Sequence, residues 1–191
     1  GKTSTLNCIF GFLQQQSGSI SWNDSTKLHA VTAYLESNNY CYPGITGEEY
    51  LSLFSGNNDR ITRWNALLKL PLNQAVDGYS SGMKKRLALA ATLLLNKALV
   101  LMDEPFNALD MEGVEILRVV LKQLKAQGTT VLITSHILET LTQSCDVIHL
   151  IDKGKLKASY QQEDFGKLEV YIRSQACRQW DEQVRELIQK A

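Results

Sequence analysis

Features that identify several classes of protein are scarce in this chain of 191 residues. Its 4 cysteines, Cys8, Cys41, Cys145 and Cys177, lie far apart, and no two of them form a CxxC pair. This spacing indicates neither a disulfide framework nor a thiolate metal site. We therefore expect the cysteines to be small buried or neutral residues in a reducing compartment.

An excess of charge of either sign is also missing, because 20 Lys and Arg residues balance 20 Asp and Glu residues. A balanced chain has no global attraction for nucleic acid or anionic lipid, so we expect no nucleic-acid partner. The longest mainly apolar run, residues 87–95, has about half the length that a membrane-spanning helix needs. No charged leader followed by an apolar stretch opens the sequence, so secretion is not expected.

The chain does have the composition of an ordinary soluble domain, with 44% hydrophobic and 21% charged residues. Short apolar runs that are typical of buried strands alternate with segments of helical period. The strands are predicted at 28–34, 98–102, 129–134 and 147–151, and the helices at 5–16, 111–126 and 137–144. This alternation predicts an α/β fold with a mostly parallel sheet.

Two regions depart from this alternation. Residues 48–96 have a helical pattern without a strand, which predicts a helical subdomain inserted into a core made of 1–47 and 97–159. Residues 160–191 offer no motif and are expected to be an accessory tail, with a strand at 168–172 followed by a terminal helix.

The first residues match the end of a phosphate-binding pattern. Gly1, Lys2, Thr3 and Ser4 correspond to the last positions of G-x-x-x-x-G-K-[ST] and the residue after it. In such a loop, backbone N–H groups surround phosphates at a helix N-terminus, the lysine reaches the β- and γ-phosphates, and the threonine hydroxyl binds Mg²⁺. The earlier positions of the pattern are missing, so either the chain is a fragment or the match is accidental at a polar terminus.

A carboxylate pair follows the strand predicted at 98–102. The apolar residues there lead directly into Asp103 and Glu104. A strand buried on both faces would present Asp103 at its tip, where it can hold Mg²⁺. Glu104 would lie beside a phosphate, as a general base or as the group that positions the attacking water. The alternative is a solvated acidic turn, which the following Pro105 and the downstream motifs disfavour.

A turn of small residues precedes a predicted helix at 79–83, where the sequence reads Tyr-Ser-Ser-Gly-Met. The Ser80 hydroxyl is expected to cap this helix, and the small Ser81 and Gly82 allow backbone amides to approach a phosphate closely. The positive end of a helix favours such an anion. Residues 84–86, Lys-Lys-Arg, are expected to be a solvated helix face, because a helix points successive residues in different directions.

The motifs and their order resemble those of the nucleotide-binding domain of ATP-binding cassette (ABC) transporters. Residues 79–83 resemble the family signature, usually written LSGGQ, while Asn-Ala-Leu-Asp at 107–110 resembles the D-loop and Thr-Ser-His at 134–136 resembles the switch histidine. The resemblance extends from residue 1 to about residue 158 and implies a P-loop NTPase core with an inserted helical subdomain. The YSxGM form of the signature is common among bacterial exporter subfamilies.

The resemblance implies a role in ATP hydrolysis for each matching residue. Lys2, with Gly1 and Ser4, would bind phosphate, and Thr3 and Asp103 would hold Mg²⁺. Glu104 would act on the attacking water and His136 would bond the γ-phosphate. Ser80, Ser81, Gly82 and Met83 would grip ATP bound to a second nucleotide-binding subunit, and the D-loop residue Asp110 would belong to the nucleotide-binding set.

The resemblance also implies partners and a location. We expect an ATPase that forms a homodimer and drives a separate transmembrane permease from the cytoplasmic face of the cell membrane, with export as the expected direction. Family members carry a glutamine, or sometimes a glutamate, at the second subdomain boundary. Alignment puts Ser37 in that position, with Glu36 and Asn38 as alternatives, so the details of coupling to the permease stay open.

Two other classes of function are open to a sequence of this kind. The first is a soluble cassette protein that acts on ribosomes or DNA. Such proteins normally carry two cassettes in one chain or long coiled coils, and neither occurs in these 191 residues. The second is an interaction module that does not hydrolyse ATP, which the intact Asp103, Glu104 and His136 disfavour.

Overall fold

A computed structural model describes residues 1–23 and 28–189, and the chain separates into two compact units, Gly1–His136 and Ile137–Ala191. In chain order the first unit contains α1 (Lys2–Phe10), α2 (Leu28–Val31), β1 (Thr32–Leu35), α3 (Gly47–Ser52), α4 (Asn58–Leu68), a 3-10 turn (Val76–Gly78), α5 (Ser81–Leu94), β2 (Leu99–Asp103), α6 (Met111–Ala126) and β3 (Thr130–Thr134).

Strand β2 is the centre of a parallel sheet of order β1-β2-β3. Successive side chains of a strand point to opposite faces of the sheet. Val100 and Met102 therefore pack in one cluster with residues of α5 and α6, whereas Leu99 and Leu101 pack in another with Leu6 of α1. Helices on both faces leave the whole of β2 buried, as parallel sheets require, and the predicted α/β class is confirmed.

The carboxyl ends of the three strands lie at one edge of this sheet. The register pairs Leu35 of β1 with Met102, and Asp103 with Thr134 of β3. Because the strands are parallel, the residues that follow them emerge side by side at this edge, which is where ligands bind in open α/β sheets.

Helices α3, α4 and α5 form the helical region that the sequence predicts between 48 and 96. Thr46 closes a capping box with Glu49 at the start of α3, and side chains also cap α4 and α5. The three helices share a second apolar core that includes Tyr50, Ile61 and Leu87. The helical character is confirmed, while the boundaries proposed for a separate subdomain remain a prediction.

The second unit contains α7 (Leu138–Thr142), β4 (Val147–Asp152), β5 (Lys155–Gln161), a 3-10 turn (Gln162–Asp164) and α8 (Phe165–Gln189). Strands β4 and β5 form an antiparallel pair. The buried side chains of Ile148, Phe165 and Leu168 make the apolar core of this unit. Within the described ranges, no helix is both long enough and apolar enough to cross a membrane.

Three sequence-based assignments are corrected here. The first helix, predicted at 5–16, already ends at Phe10, because Gly11 adopts φ 97° and its N–H bonds the Asn7 carbonyl. The strand predicted at 28–34 begins with the helical turn α2, so only Thr32–Leu35 pairs with β2.

The third correction concerns the C-terminal segment. Residues 168–172, predicted as a strand, belong to the single helix α8. The side chains of Phe165 and Leu168 belong to the core of the second unit, and Ile172 packs against them. Their spacing of three and four residues is the period of one helix face, which the sequence interpretation had not recognised.

Candidate functional site

Asp103 lies at the tip of β2 with its carboxylate held by two threonines. The residue is 0% exposed to solvent. The Thr3 hydroxyl, on the first turn of α1, donates to Oδ2 at 2.7 Å, and the Thr134 hydroxyl at the end of β3 donates to Oδ1. A buried carboxylate needs such donors, because an unpaired one carries a large desolvation cost.

Glu104 directly follows β2 and contacts two other predicted site residues. Its Oε1 lies 3.4 Å from Nζ of Lys2, and its Oε2 lies 2.9 Å from Nδ1 of His136. The His136 backbone N–H also donates to Oε2 at 3.3 Å. The sheet edge therefore brings an ammonium, a carboxylate and an imidazole into one cluster, although they are widely spaced in the sequence.

The backbone of Glu104 is strained. Its φ is 49°, a left-handed conformation that residues with a Cβ rarely adopt. Strain of this kind costs about 1–3 kcal/mol and tends to occur at functional sites. The conformation is held by the Glu104 N–H, which donates to the carbonyl oxygen of Thr134 at 3.0 Å.

Helix α1 begins at this cluster, and the backbone N–H groups of its first turn are available as hydrogen-bond donors. Gly1 occupies its N-cap position and supplies no side-chain hydrogen bond. The first N–H groups of an α-helix have no partner within the helix, and the helix dipole makes this end positive. The first turn of α1, which carries Lys2, Thr3 and Ser4, is therefore suited to bind an anion beside Asp103 and Glu104.

The signature segment, residues 79–83, meets the loop at 107–110. The Ser80 hydroxyl accepts the Met83 N–H at 3.2 Å, so the predicted cap is confirmed. A Cβ on Gly82 would lie 2.9 Å from the carbonyl oxygen of Ala108, so any larger residue there would push the loop away. Glycine is thus required by the close approach of two backbones.

Arg86 strengthens the same contact by pairing with Asp110. The Asp110 carboxylate receives the Arg86 guanidinium and also caps α6 by accepting the Gly113 N–H at 2.9 Å. These two donors, the guanidinium first, hold the pKa of Asp110 below its usual range. The structure thereby joins the signature segment to the predicted D-loop residue.

Residues 84–86 are not the solvated face that the sequence predicts. Lys85 is only 3% exposed, and its ammonium donates to the carbonyl oxygen of Glu36 at 3.1 Å. Burial lowers the pKa of Lys85 to about 8, an effect that the negative charges of Asp103 and Glu104 partly oppose. The sequence offers no local signal for this contact, because its partner is a backbone carbonyl 49 residues away.

The segment after β1 holds the three candidates for the missing glutamine. Glu36, Ser37 and Asn38 are all exposed. The bond from Lys85 fixes the backbone at Glu36, next to Ser37. The assignment of Ser37 to that position, with Glu36 and Asn38 as alternatives, stays a prediction.

The residues present fit a magnesium ion that is bound together with phosphates. Among residues 1–23 and 28–189, no group of three or more His, Cys, Asp or Glu side chains could hold a metal. Mg²⁺, however, is usually bound by one or two carboxylates, waters and substrate phosphates. The hydroxyl oxygen of Thr3 and Oδ2 of Asp103 are oxygen ligands of the kind that Mg²⁺ prefers. They lie 2.7 Å apart at the N-terminal end of α1.

Comparison with known proteins identifies the family. Residues 1–107 match the family model described as ABC transporter. The chain is 34% identical over 173 residues to the ABC transporter ATP-binding protein YdbJ of Bacillus subtilis (strain 168), covering 83% of this chain and 56% of YdbJ. The chain thus spans about half the length of this relative.

Solved structures agree in fold. An ATP-binding subunit of an ABC transporter superposes with a TM-score of 0.78 at 27% identity, over 86% of this chain and 75% of that one. A dimeric ATP-binding cassette in a post-hydrolysis state, bound to ADP and Pi, gives a TM-score of 0.75 at 20% identity, over 85% and 81% of the two chains. The chain belongs to the ABC transporter family, as an ATP-binding domain with the P-loop NTPase fold.

Proposed function

We propose that the whole protein is the ATP-binding and ATP-hydrolysing subunit of an ABC transporter. The observation that carries the proposal is the cluster in which Glu104 contacts both Lys2 and His136 beside the start of α1. A general base, a phosphate-binding ammonium and a polar group for the γ-phosphate are the parts that phosphoryl transfer to water requires.

Each residue has a distinct task in this proposal. Lys2 and the backbone N–H groups of the first turn of α1 bind the phosphates, so the ammonium leaves Glu104 when ATP is present. Glu104 then orients the attacking water and accepts its proton, while His136 holds the γ-phosphate. Thr3 and Asp103 would hold Mg²⁺, which when bound would neutralise charge on the phosphates.

The signature segment acts on a second subunit in this proposal. Its capped helix start and small residues present backbone N–H groups to an anion. The aspartate Asp110, fixed by Arg86, belongs to the same surface. Each ATP would lie between the phosphate loop of one subunit and the signature segment of the other, in a homodimer that closes on ATP and separates after hydrolysis.

A transmembrane permease completes the proposed assembly. ATP-driven closing of the dimer would be transmitted by α3–α5 and by residues 34–47 to the permease on the cytoplasmic side of the membrane. The YSxGM form of the signature supports export as the direction of transport. The permease would select the transported substrate.

The decisive experiment replaces Glu104 with glutamine in the full-length protein. Glu104→Gln keeps the size of the side chain but removes the base, so ATP hydrolysis should fall about 10²- to 10⁴-fold. ATP binding and ATP-dependent dimerisation should persist, which equilibrium binding and size-exclusion chromatography would measure. Glu115→Gln, an exposed glutamate on α6 paired with Arg118, is the matched control and should hydrolyse ATP at the wild-type rate. Unchanged hydrolysis in Glu104→Gln would refute the proposed role.

A further inference from the structure

Thr134 contacts both acidic residues of the site. Its hydroxyl donates to Oδ1 of Asp103. The same hydroxyl oxygen lies 3.4 Å from the Glu104 backbone nitrogen, whose N–H also donates to the Thr134 carbonyl at 3.0 Å. One residue at the end of β3 therefore touches the side chain of Asp103 and the backbone of Glu104.

Each oxygen of the Asp103 carboxylate accepts a hydrogen bond from a different threonine. Thr134 bonds Oδ1, whereas Thr3 bonds Oδ2 from the first turn of α1. A carboxylate held at one oxygen by a rigid neighbour cannot rotate freely about its terminal torsion. Oδ2 is consequently the oxygen that faces α1 and the proposed phosphate site. Both threonines restrain this orientation, but the Thr3 hydroxyl is also a proposed metal ligand, whereas the Thr134 hydroxyl is not.

The sheet register places Thr134 where its hydroxyl can bond the Asp103 carboxylate. Thr134 is paired directly with Asp103 across β2 and β3, at the last position of both strands. Its hydroxyl thus lies where the strands end and where the backbone turns into the strained conformation of Glu104. Valine keeps the branched shape of threonine but carries a methyl group in place of the hydroxyl, so Thr134→Val should retain the strand and lose the hydrogen bond to Asp103.

We propose that Thr134 is a positioning residue for the metal site: its hydroxyl orients Asp103 so that Oδ2 faces the bound Mg²⁺. It also helps to hold the Glu104 backbone where the side chain can reach the attacking water. The inference rests on the proposed ATPase function and assigns to this site a residue that acts through Asp103 and Glu104. Groups that orient metal ligands typically contribute about 10- to 100-fold to metal affinity or activity.

The experiment compares Thr134→Val with Thr134→Ser in the full-length protein. Mn²⁺ replaces Mg²⁺ as the probe, and its affinity is measured by electron paramagnetic resonance in the presence of ADP, where no turnover occurs. Thr134→Val should bind Mn²⁺ about 10- to 100-fold more weakly than wild type, and Thr134→Ser should restore the affinity. The binding of ADP without metal should not change.

Kinetics and a control on the same strand complete the test. Thr134→Val should need a higher Mg²⁺ concentration for half-maximal ATPase activity and should have a lower kcat, with KM for ATP little changed. Thr130, the exposed first residue of β3, is the matched control, and Thr130→Val should change neither the Mn²⁺ affinity nor the Mg²⁺ requirement.

Different experimental results would refute the proposed function and the role of Thr134. Wild-type protein that neither binds Mn²⁺ with ADP nor hydrolyses ATP would refute the proposed function. Active wild-type protein with unchanged Mn²⁺ affinity in Thr134→Val would overturn the role of Thr134. If Thr134→Val does not fold, Thr134→Ala removes the same hydroxyl without filling space. Misfolding of both would assign the hydroxyl a purely structural role and would overturn the inference.

Discussion

A lysine ammonium that is buried close to acidic residues carries a desolvation cost that an exposed lysine does not. Lys85 is 3% exposed and has the Glu36 carbonyl as its hydrogen-bond acceptor. Desolvation disfavours the charged form, which explains a pKa lowered to about 8 even though Asp103 and Glu104 favour the charge. The bond from Lys85 fixes the backbone immediately before Ser37, so a single side chain links helix α5 to the segment that follows β1.

This burial predicts how stability depends on pH. In the unfolded chain Lys85 keeps its proton up to a pKa near 10.5, whereas in the folded chain it releases the proton near 8. Between these values the unfolded state binds more protons at Lys85, so the contribution of Lys85 to the free energy of unfolding should rise with pH. Below about pH 8 both states are protonated, and the contribution of Lys85 should be constant.

Urea unfolding at several pH values between about 7 and 10.5 would measure this effect, because the range spans both pKa values. Wild type should gain stability relative to Lys85→Met as the pH rises, whereas the difference between wild type and Lys84→Met, at the preceding and less buried residue, should not show this increase. Identical pH profiles for Lys85→Met and wild type would show that the Lys85 ammonium is not buried as described.

Helix α6 shows why some elements are predictable from sequence and others are not. It spans Met111–Ala126, the range that the sequence predicts, because Asp110 caps it and its apolar residues keep a helical period. Helix α8 is predicted only in part, because residues 168–172 resemble a strand unless the helical period that starts at Phe165 is recognised. Both segments carry apolar residues at helical spacing, but only in α6 does a capping residue, Asp110, also mark where the helix begins.

The packing of α6 leads to a test at the scale of the element. Leu117 is 0% exposed and lies in the core cluster between this helix and the sheet. Leu117→Ala should lower the free energy of unfolding by about 2–5 kcal/mol, through lost transfer energy and the cavity left behind.

Denaturant unfolding provides the measurement for Leu117→Ala. Val119→Ala, on the exposed side of the same helix with 57% exposure, should change the stability by about 0.5 kcal/mol or less. A loss below about 1 kcal/mol in Leu117→Ala would contradict its position in the core.

At the scale of the whole molecule, the contacts join the site residues in two sets. Lys2, Thr3, Asp103, Glu104 and His136 meet at the sheet edge, and the signature segment meets Asp110 through Gly82 and Arg86. If each ATP binds between the first set of one subunit and the second set of its partner, defects in the two sets should complement each other.

Mixing two variants of the full-length protein tests this arrangement. Lys2→Ala disables the phosphate loop, and Ser81→Asp places a negative charge where the partner's phosphate would lie, while suiting a helix N-terminus. Each variant alone should be inactive. An equal mixture should recover about one quarter of the wild-type ATPase rate, because half of the dimers are mixed and each has one intact site of two. No recovery in mixtures shown to exchange subunits would contradict sites shared between subunits.

The sequence by itself predicted the residue types of the candidate site and much of the local structure of this protein. The end of the phosphate loop, the apolar strand before Asp103 and Glu104, the Ser80 cap and the period of α6 depend on neighbours within a few residues, so they are readable along the chain.

Tertiary structure decided which distant groups meet. Thr134 bonds Asp103 across 31 positions, and Lys85 bonds Glu36 across 49. Such contacts depend on how strands pair and helices pack between segments that are far apart in the sequence. For this reason the lysine expected in solvent is buried, and a threonine that ends a strand is the group that orients the proposed metal ligand.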